Sequence, residues 1–456
     1  MRQSSQTIRD NSIAGRGERR RSIERTSIPL LLVLFILSFI FPRTAGFFIA
    51  DVFLTPQRIV LLTMAVACGL RLLSGYRFIS ADIFLLLFIS WAMFCFFLHY
   101  GFENIGLNVF IFITYFACYF FAQMYIVKPE DVAKTAGLFF LLVVVFGALA
   151  IPEAVLKTRY IPDFFAQISG IPDRGKYVER LGLLRAKTVF VHPINYGLFC
   201  ASIISYVWYC ARSNASGIFK VAMTFMCVFL ALSSGPLLAA LVQIGLIFVE
   251  RMTRWLPNRG TVVMISIAVL LVVLEIASKG PLIQVLLSRF TLDSWTAYYR
   301  LLIFEHMSDD ILRNPIFGFR IETWTRLHWM TSSVDNFWLM VTGRFGFPGL
   351  VLLLLTLLLI IRRLFKAPAD SIPPKLQQLR IAACFTLVGL SISGTTVHFF
   401  GKMEVLFAFQ LGLAAAISRM VETASESKAS PEAEAGTGSE RSLLRTRKRA
   451  RGRVNS

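Results

Sequence analysis

Apolar runs of membrane-spanning length recur along the whole chain, and they limit its possible folds more than any other feature. Stretches such as FLLVVVFGALAI and MISIAVLLVVLEIA are too long and too apolar for ordinary core helices. A helix needs about 20 mostly apolar residues to cross a bilayer core. By that yardstick about twelve segments qualify, near 28–49, 57–74, 80–100, 104–127, 132–152, 189–211, 217–234, 236–250, 260–278, 335–361, 378–398 and 402–420. Composition points the same way. Of 456 residues 56% are hydrophobic and 16% charged, against roughly 45–50% and about a quarter in soluble domains. The sequence predicts an all-α fold: a polytopic helical membrane protein with about 12 transmembrane helices within 28–420. The first run follows an Arg-rich leader that mimics a signal peptide, but no small-residue cleavage pattern follows it. It reads as an uncleaved first span, interrupted by PRTAG.

Positive charge in short loops sets the orientation. Arg71 and Arg77, Lys128 and Lys134, Arg212 and Lys220, Arg251, Arg254 and Arg259, and the group from Arg362 to Arg380 fall on one side. The short opposite loops GFEN, SSGP and FFGK are nearly free of it. The prediction is N-in and C-in. Composition predicts disorder for both cytoplasmic tails, 1–27 and 421–456, which are Ser-, Gly- and Arg-rich. They supply much of the net charge of +20. Basic runs can mark nucleic-acid binding, but here they suit topology control and contact with anionic membrane lipids, and no nucleic acid is expected. The seven cysteines, Cys68, Cys95, Cys118, Cys200, Cys210, Cys227 and Cys384, lie in or beside apolar runs without CxxC spacing. They read as small buried hydrophobes, not as disulfides or metal ligands.

Two long external loops, about 153–188 and 279–334, break the charge pattern. The first carries seven Lys or Arg, among them Arg185, and the second carries Arg289 and Arg300. Long loops are exempt from the positive-inside rule. That accounts for tolerance of the charges, but not for Arg185, Arg300 and Arg344 lying close to apolar segments. An anion site at the outer surface accounts for that placement, since the planar guanidinium donates paired hydrogen bonds to phosphate. Within the second loop, WTAYYRLLIFEHMSDDILRNP reads as a helix along the membrane, stopped by NPIFG. Asp309 and Arg313 form a favourable i,i+4 pair on it. Trp295, Trp324, Trp329 and Trp338 lie in or beside this loop. An interfacial aromatic belt accounts for any one of them. The functional alternative is a stacking surface for sugar rings, with Trp295, Tyr299 and Trp338 as candidates.

Histidine is scarce: His99, His192, His306, His328 and His398. His192 opens a span shortly after Arg185 and Lys187; His306 lies in the second loop. No set of residues has metal-ligand spacing, so no metal or cofactor is expected. Walker, GxGxxG and GxSxG patterns are missing from the sequence, which argues against nucleotide-driven chemistry. The stretch SSVDNFWLMVTGRFGFPG places Asp335 at a helix entrance and Arg344 deeper in. Ser332 and Asp335 read as a capping box. A charge at the depth of Arg344 marks a functional site.

Four stretches together resemble one family: RAKTVFVHPINYGLF, ALSSGPLLAAL, YYRLLIFEHMSDDILRNPIFGF and SSVDNFWLMVTGRFGFPGL. The chain resembles the O-antigen ligase and Wzy-type polysaccharide polymerase superfamily of bacterial inner membranes over roughly residues 180–360. The resemblance implies a metal-independent glycosyltransferase at the outer face of that membrane. Its donor would be a glycan on undecaprenyl diphosphate, and its partners a chain-length regulator or flippase of the same pathway. Asp335-Asn336, where ligases tend to carry His-Asn, tilts the reading toward a polymerase rather than an O-antigen ligase acting on lipid A–core. Arg185, Arg300, Arg289 and Arg344 are the candidate diphosphate ligands. Arg185, His192, Arg300, Asp335 and His306 are the candidate catalytic residues, since fixed donors stabilise charge developing on the leaving group and a positioned base takes the acceptor proton. A flippase or small-anion transporter is the competing class, but the sequence shows no paired halves of the transporter kind.

Overall fold

The computed structural model describes residues 29–49, 52–173, 175, 177–255 and 294–451. The N-terminal tail, the span expected near 260–278, and Arg289 lie outside the described residues. The described chain is mostly helical, with two short hairpins. Helices α1 (Leu30–Leu37), α2 (Pro56–Leu72), α3 (Ser80–Tyr100), α4 (Ile105–Tyr125), α5 (Pro129–Leu156) and α6 (Tyr160–Ser169) come first. Then follow α7 (Pro193–Ala201), α8 (Ile204–Tyr209), α9 (Asn214–Leu230) and α10 (Ser234–Met252). The described chain ends with α11 (Ser294–Arg313), α12 (Phe337–Leu364), α13 (Pro374–Gly394) and α14 (Lys402–Arg451). Among these, α3, α5, α10, α12, α13 and the first part of α14 are six helices long and apolar enough to cross a membrane.

The last helix occupies the centre. Residues 405–417 of α14 are buried on every side, as expected of an apolar helix surrounded by others. Phe409 packs there against Phe35 and Phe139, with ring centroids 4.9 and 5.8 Å apart. The helix continues to Arg451, so the tail that composition assigns to disorder is helical over that length. Its Ala, Glu, Lys and Arg residues favour helix locally.

Two expected spans are broken, the first where PRTAG interrupts it and the second, against expectation, in mid-run with an identifiable hydrogen-bond solution. The 28–49 run gives only the eight-residue α1, a 3-10 turn at Ser38–Ile40, and then the antiparallel hairpin β1 (Phe47–Ile49) and β2 (Val52–Leu54). Eight residues rise about 12 Å, well short of the ~30 Å bilayer core. The 189–211 run is split between α7 and α8 at Ser202–Ile203. Backbone groups freed inside a membrane must find partners. Gln243 of α10 donates to Ala201 O at 2.8 Å, and Gln410 of α14 donates to Ser202 O at 3.3 Å. Gln243 Oε1 also accepts from Ser205 Oγ at 2.9 Å.

A third break lies within α12, at Gly346 (φ 66°, ψ −177°). The segment after α11, NPIFGF, docks into it. Phe347 N–H donates to Pro315 O at 2.8 Å, and Phe319 N–H donates to Gly343 O at 2.8 Å. Trp91 of α3 donates its indole N–H to Phe345 O at 2.7 Å. A side chain at Gly346 would run into the Ile316 carbonyl. Gly343 and Gly346 thus seat the segment after α11 on the bundle. That loop has its own small core, including Ile303, Met307, Ile311, Ile321, Trp324 and Met340. The predicted loop helix is present as α11, but its ion pair differs. Arg313 meets Asp310 at 3.6 Å, not Asp309, and Asp310 also accepts from Thr325 N–H and Oγ1.

At the opposite end of α3, buried Asp82 accepts from Tyr119 (2.8 Å), Gln123 (3.0 Å) and Arg419 (2.8 Å). This network ties α3, α4 and α14 together, and sequence reasoning did not single it out.

Candidate functional site

Arg185 follows a tight hairpin, β3 (Glu179–Arg180) and β4 (Leu183–Leu184). Leu181 and Gly182, both at positive φ (54° and 77°), make its two-residue turn, the geometry that suits the strand twist. The hairpin lies against the turn between α9 and α10. Arg185 Nε donates to Ala231 O at 3.3 Å, and Arg180 Nη1 donates to Leu232 O at 3.1 Å. Leu232 itself is left-handed, with φ 44°. The two residues just before the short SSGP loop, Ala231 and Leu232, therefore supply the carbonyls that aim two arginines.

Arg300 projects from α11 toward the same place. It is buried at 6% exposure, and its Nε and Nη1 have no hydrogen-bond partner. Asp335 is partly buried and lines a crevice of about 10 Å³ with Arg300, Phe304, Asn336 and Thr395. Burial foremost lowers the Arg185 pKa to about 10, with Arg180 and Arg300 adding to the effect and Asp335 opposing it. Burial also lowers that of Arg300, against the attraction of Asp335. Enclosure raises the Asp335 carboxyl above its ordinary value, while Arg300 and Arg185 pull it down. Two guanidiniums thus act on one carboxylate, with Arg180 close enough to affect both. Among the described residues, neither Arg185 nor Arg300 forms a close ion pair. The cluster holds excess positive charge and unused donors, which an anionic group would satisfy.

Asp335 is not the helix cap that the sequence predicts. The cap of α12 is Asn336, whose Oδ1 accepts from Leu339 N–H at 2.9 Å. Asn is among the best residues for that role, and its presence leaves the neighbouring carboxylate to face the arginines.

Arg185 also lines a much larger cavity of about 740 Å³. Its wall includes Arg43, Arg159, Lys187, Asp173 and His192, with Phe48, Phe53 and Phe190 supplying apolar surface. Two of these cations are neutralised. Lys187 Nζ meets Asp173 at 2.5 Å, and Arg159 lies 3.7 Å from Asp173 and 3.9 Å from Glu153. Glu153 also accepts the backbone N–H of Lys187 and Thr188, at 3.1 and 2.8 Å. It thereby anchors the segment on which Arg185 and His192 are carried. Glu153 and Asp173 were missed; only the acid at the end of an apolar run, in IPEAVL, hinted at the first.

His192 caps α7. Its Nδ1 accepts from Ile194 N–H at 3.2 Å, which leaves the proton on Nε2. Burial first, then the Arg185 and Lys187 charges, lower its pKa to about 4. With Nδ1 occupied by the backbone, His192 is a donor rather than the proposed base. His306 lies six residues from Arg300, about 240° around the helix at 3.6 residues per turn, so it does not join the cluster. Arg344 is also elsewhere: its charge acts on Glu404 of α14 and on His398. It lies apart from the Arg185–Arg300 pair, and its Nε is buried without a hydrogen-bond partner.

The aromatic candidates divide. Trp295 and Trp329 are exposed, with ring centroids 5.7 Å apart, and Tyr299 lies 6.0 Å from Trp329. Trp338 instead turns into the bundle and donates to Ser391 O at 2.9 Å. It is a packing residue, not a sugar platform. A comparison with known proteins gives no match to a family model and none to a curated protein.

Proposed function

We propose that this chain is a glycosyltransferase acting at the outer face of a bacterial inner membrane. It polymerises undecaprenyl-diphosphate-linked repeat units into a surface polysaccharide. The observation that carries the reading is the convergence of Arg185 and Arg300, from different external loops, on Asp335. Attack of an acceptor hydroxyl on the anomeric carbon forms a C–O bond and breaks the bond to the diphosphate. The leaving oxygen gains charge, which the two arginines stabilise. Asp335, whose carboxyl enclosure pushes up and the arginines pull down, takes the acceptor proton. His192 Nε2–H is a further donor to the diphosphate. Trp295, Tyr299 and Trp329 offer ring faces to the growing glycan.

The N-in, C-in orientation expected from positive charge in the short loops supports an external position for these groups. The resemblance of residues 180–360 to O-antigen ligases and Wzy-type polymerases supports the same chemistry, and Asp335-Asn336 favours the polymerase. The test is Arg300→Ala in cells, with protein level checked and polysaccharide chain length read on a gel. Short chains are expected; chains of normal length would remove Arg300 from the mechanism.

A further inference from the structure

The large cavity has a rim that no part of the reaction uses. On one side, only three residues separate α6 from the end of α5, the first of them a left-handed Lys157 (φ 56°). The end of α5 exposes Ile151, Val155 and Leu156, so α6 leaves a span at its lipid-facing edge. It then shows an exposed apolar stripe at i, i+4 and i+8: Tyr160, Phe164 (56%) and Ile168 (68%). Its other side is tied to the chain after α1. Thr44 Oγ1 donates to Pro162 O at 3.3 Å, and Phe165 packs on Phe41. On the other side, the β1–β2 hairpin exposes Phe47, Phe48 (64%) and Ile49. The cavity lies between, with Phe48, Phe53, Pro162 and Gly170 among its lining and the cations Arg43 and Arg185 inside.

An exposed apolar stripe of this kind is a liability in water. At the end of a span it is the pattern of an interfacial helix, buried about 5–10 Å into the headgroup boundary. Apolar rim and cationic interior also match the two halves of one ligand class. We infer that α6 and the β1–β2 hairpin form a cuff that dips into the leaflet on the external side. The cuff opens the cavity sideways, so that a lipid with an anionic head enters from the bilayer and not from the aqueous phase. The identity of that lipid rests on the glycosyl-transfer reading; the cuff does not.

The seven native cysteines are buried or half-buried, so single cysteines at Phe48, Phe164 and Ile168 can carry nitroxide labels selectively. Glu179, exposed on β3, is the aqueous control. In liposomes, labels at the three cuff positions are expected to meet oxygen more than a water-soluble nickel chelate, with the reverse at Glu179→Cys. Nickel access at all four sites alike would overturn the cuff. So would shielding from both reagents, which would mean a covering protein.

The doorway is tested separately with Phe164→Glu/Ile168→Glu. Elongation from an undecaprenyl-diphosphate donor in proteoliposomes is expected to fall roughly tenfold or more, as apolar insertion is lost. Elongation from a short-prenyl, water-soluble donor is expected to stay unchanged. Equal losses on both donors would overturn the doorway. If the wild type consumed neither donor, the glycosyl-transfer reading would fall while the labels still decided the cuff.

Discussion

Replacing Arg300 by Met separates a functional charge from a structural one. Arg300 is 6% exposed, and two of its nitrogens lack a partner. An unpaired buried donor costs about 1–3 kcal/mol, so the two together weigh about 2–6 kcal/mol against the folded state. Met keeps the apolar stem and its packing while removing the donors. The opposing effect is on Asp335, which loses one of two cations that hold its carboxyl down. That carboxyl then binds a proton more readily instead of persisting as a buried charge. The balance predicts a variant as stable as the wild type or up to about 2 kcal/mol more stable. Activity is expected to fall about a hundred- to a thousandfold, the usual loss for one positioned donor to a developing oxyanion. The acid limb of the residual rate–pH profile should move to higher pH, because the Asp335 base form now appears later. Thermal unfolding in detergent and elongation rates on the same preparation check both halves. A clear drop in melting temperature, with the rate per folded molecule unchanged, would refute the reasoning and make Arg300 a strut.

Other substitutions test neighbouring parts of the account. The folded Asp335 pKa lies above its unfolded value, so the stability it contributes is full at low pH and is lost as pH rises through the folded pKa. Asp335→Asn is therefore expected to flatten the acid-to-neutral stability profile while abolishing elongation. The pKa of His192 is lowered to about 4, so the stability it contributes is full above about 6.5, the ordinary value, and is lost as pH falls toward 4. His192→Asn should keep the cap, and His192→Ala should cost about 1 kcal/mol; chemical denaturation of the two variants distinguishes them. Gly346→Ala forces a left-handed residue against the Ile316 carbonyl. It should cost at least about 1–2 kcal/mol and speed limited proteolysis of the segment between α11 and α12. Trp329→Ala should weaken glycan binding with the fold intact, whereas Trp338→Phe should lose about 0.5–1.5 kcal/mol of stability through its hydrogen bond to Ser391.

What the sequence could reveal depended on whether the information was local. Hydropathy located α3, α5, α10, α12, α13 and the start of α14, because a long apolar helix is specified by its own residues. The break in the first span was legible in PRTAG, but the α7–α8 break was not, since Gln243 and Gln410, which make it possible, are distant in sequence. Arg185, Arg300 and Asp335 stood out as charges beside apolar segments, and the structure brings them together. Arg344 stood out for the same reason, but only packing reveals that its charge acts on Glu404 of α14. Asp335 and Asn336 compete for the cap, and the chain's register settles it in favour of Asn336. His192 carried a genuine positional signal, but a helix entrance marks a cap as readily as a base. Glu153 and Asp173 were hidden because their partners are a backbone segment and two cations that only the folded loop presents.

Purified protein in detergent, with lipid-linked repeat units as sole substrate and no membrane gradient, decides between glycosyl transfer and transport. The account predicts a ladder of longer lipid-linked glycans and stoichiometric release of undecaprenyl diphosphate, both lost in Arg300→Met and Asp335→Asn. An unchanged substrate, together with movement of the same lipid across vesicles containing the protein, would contradict it and point to a carrier.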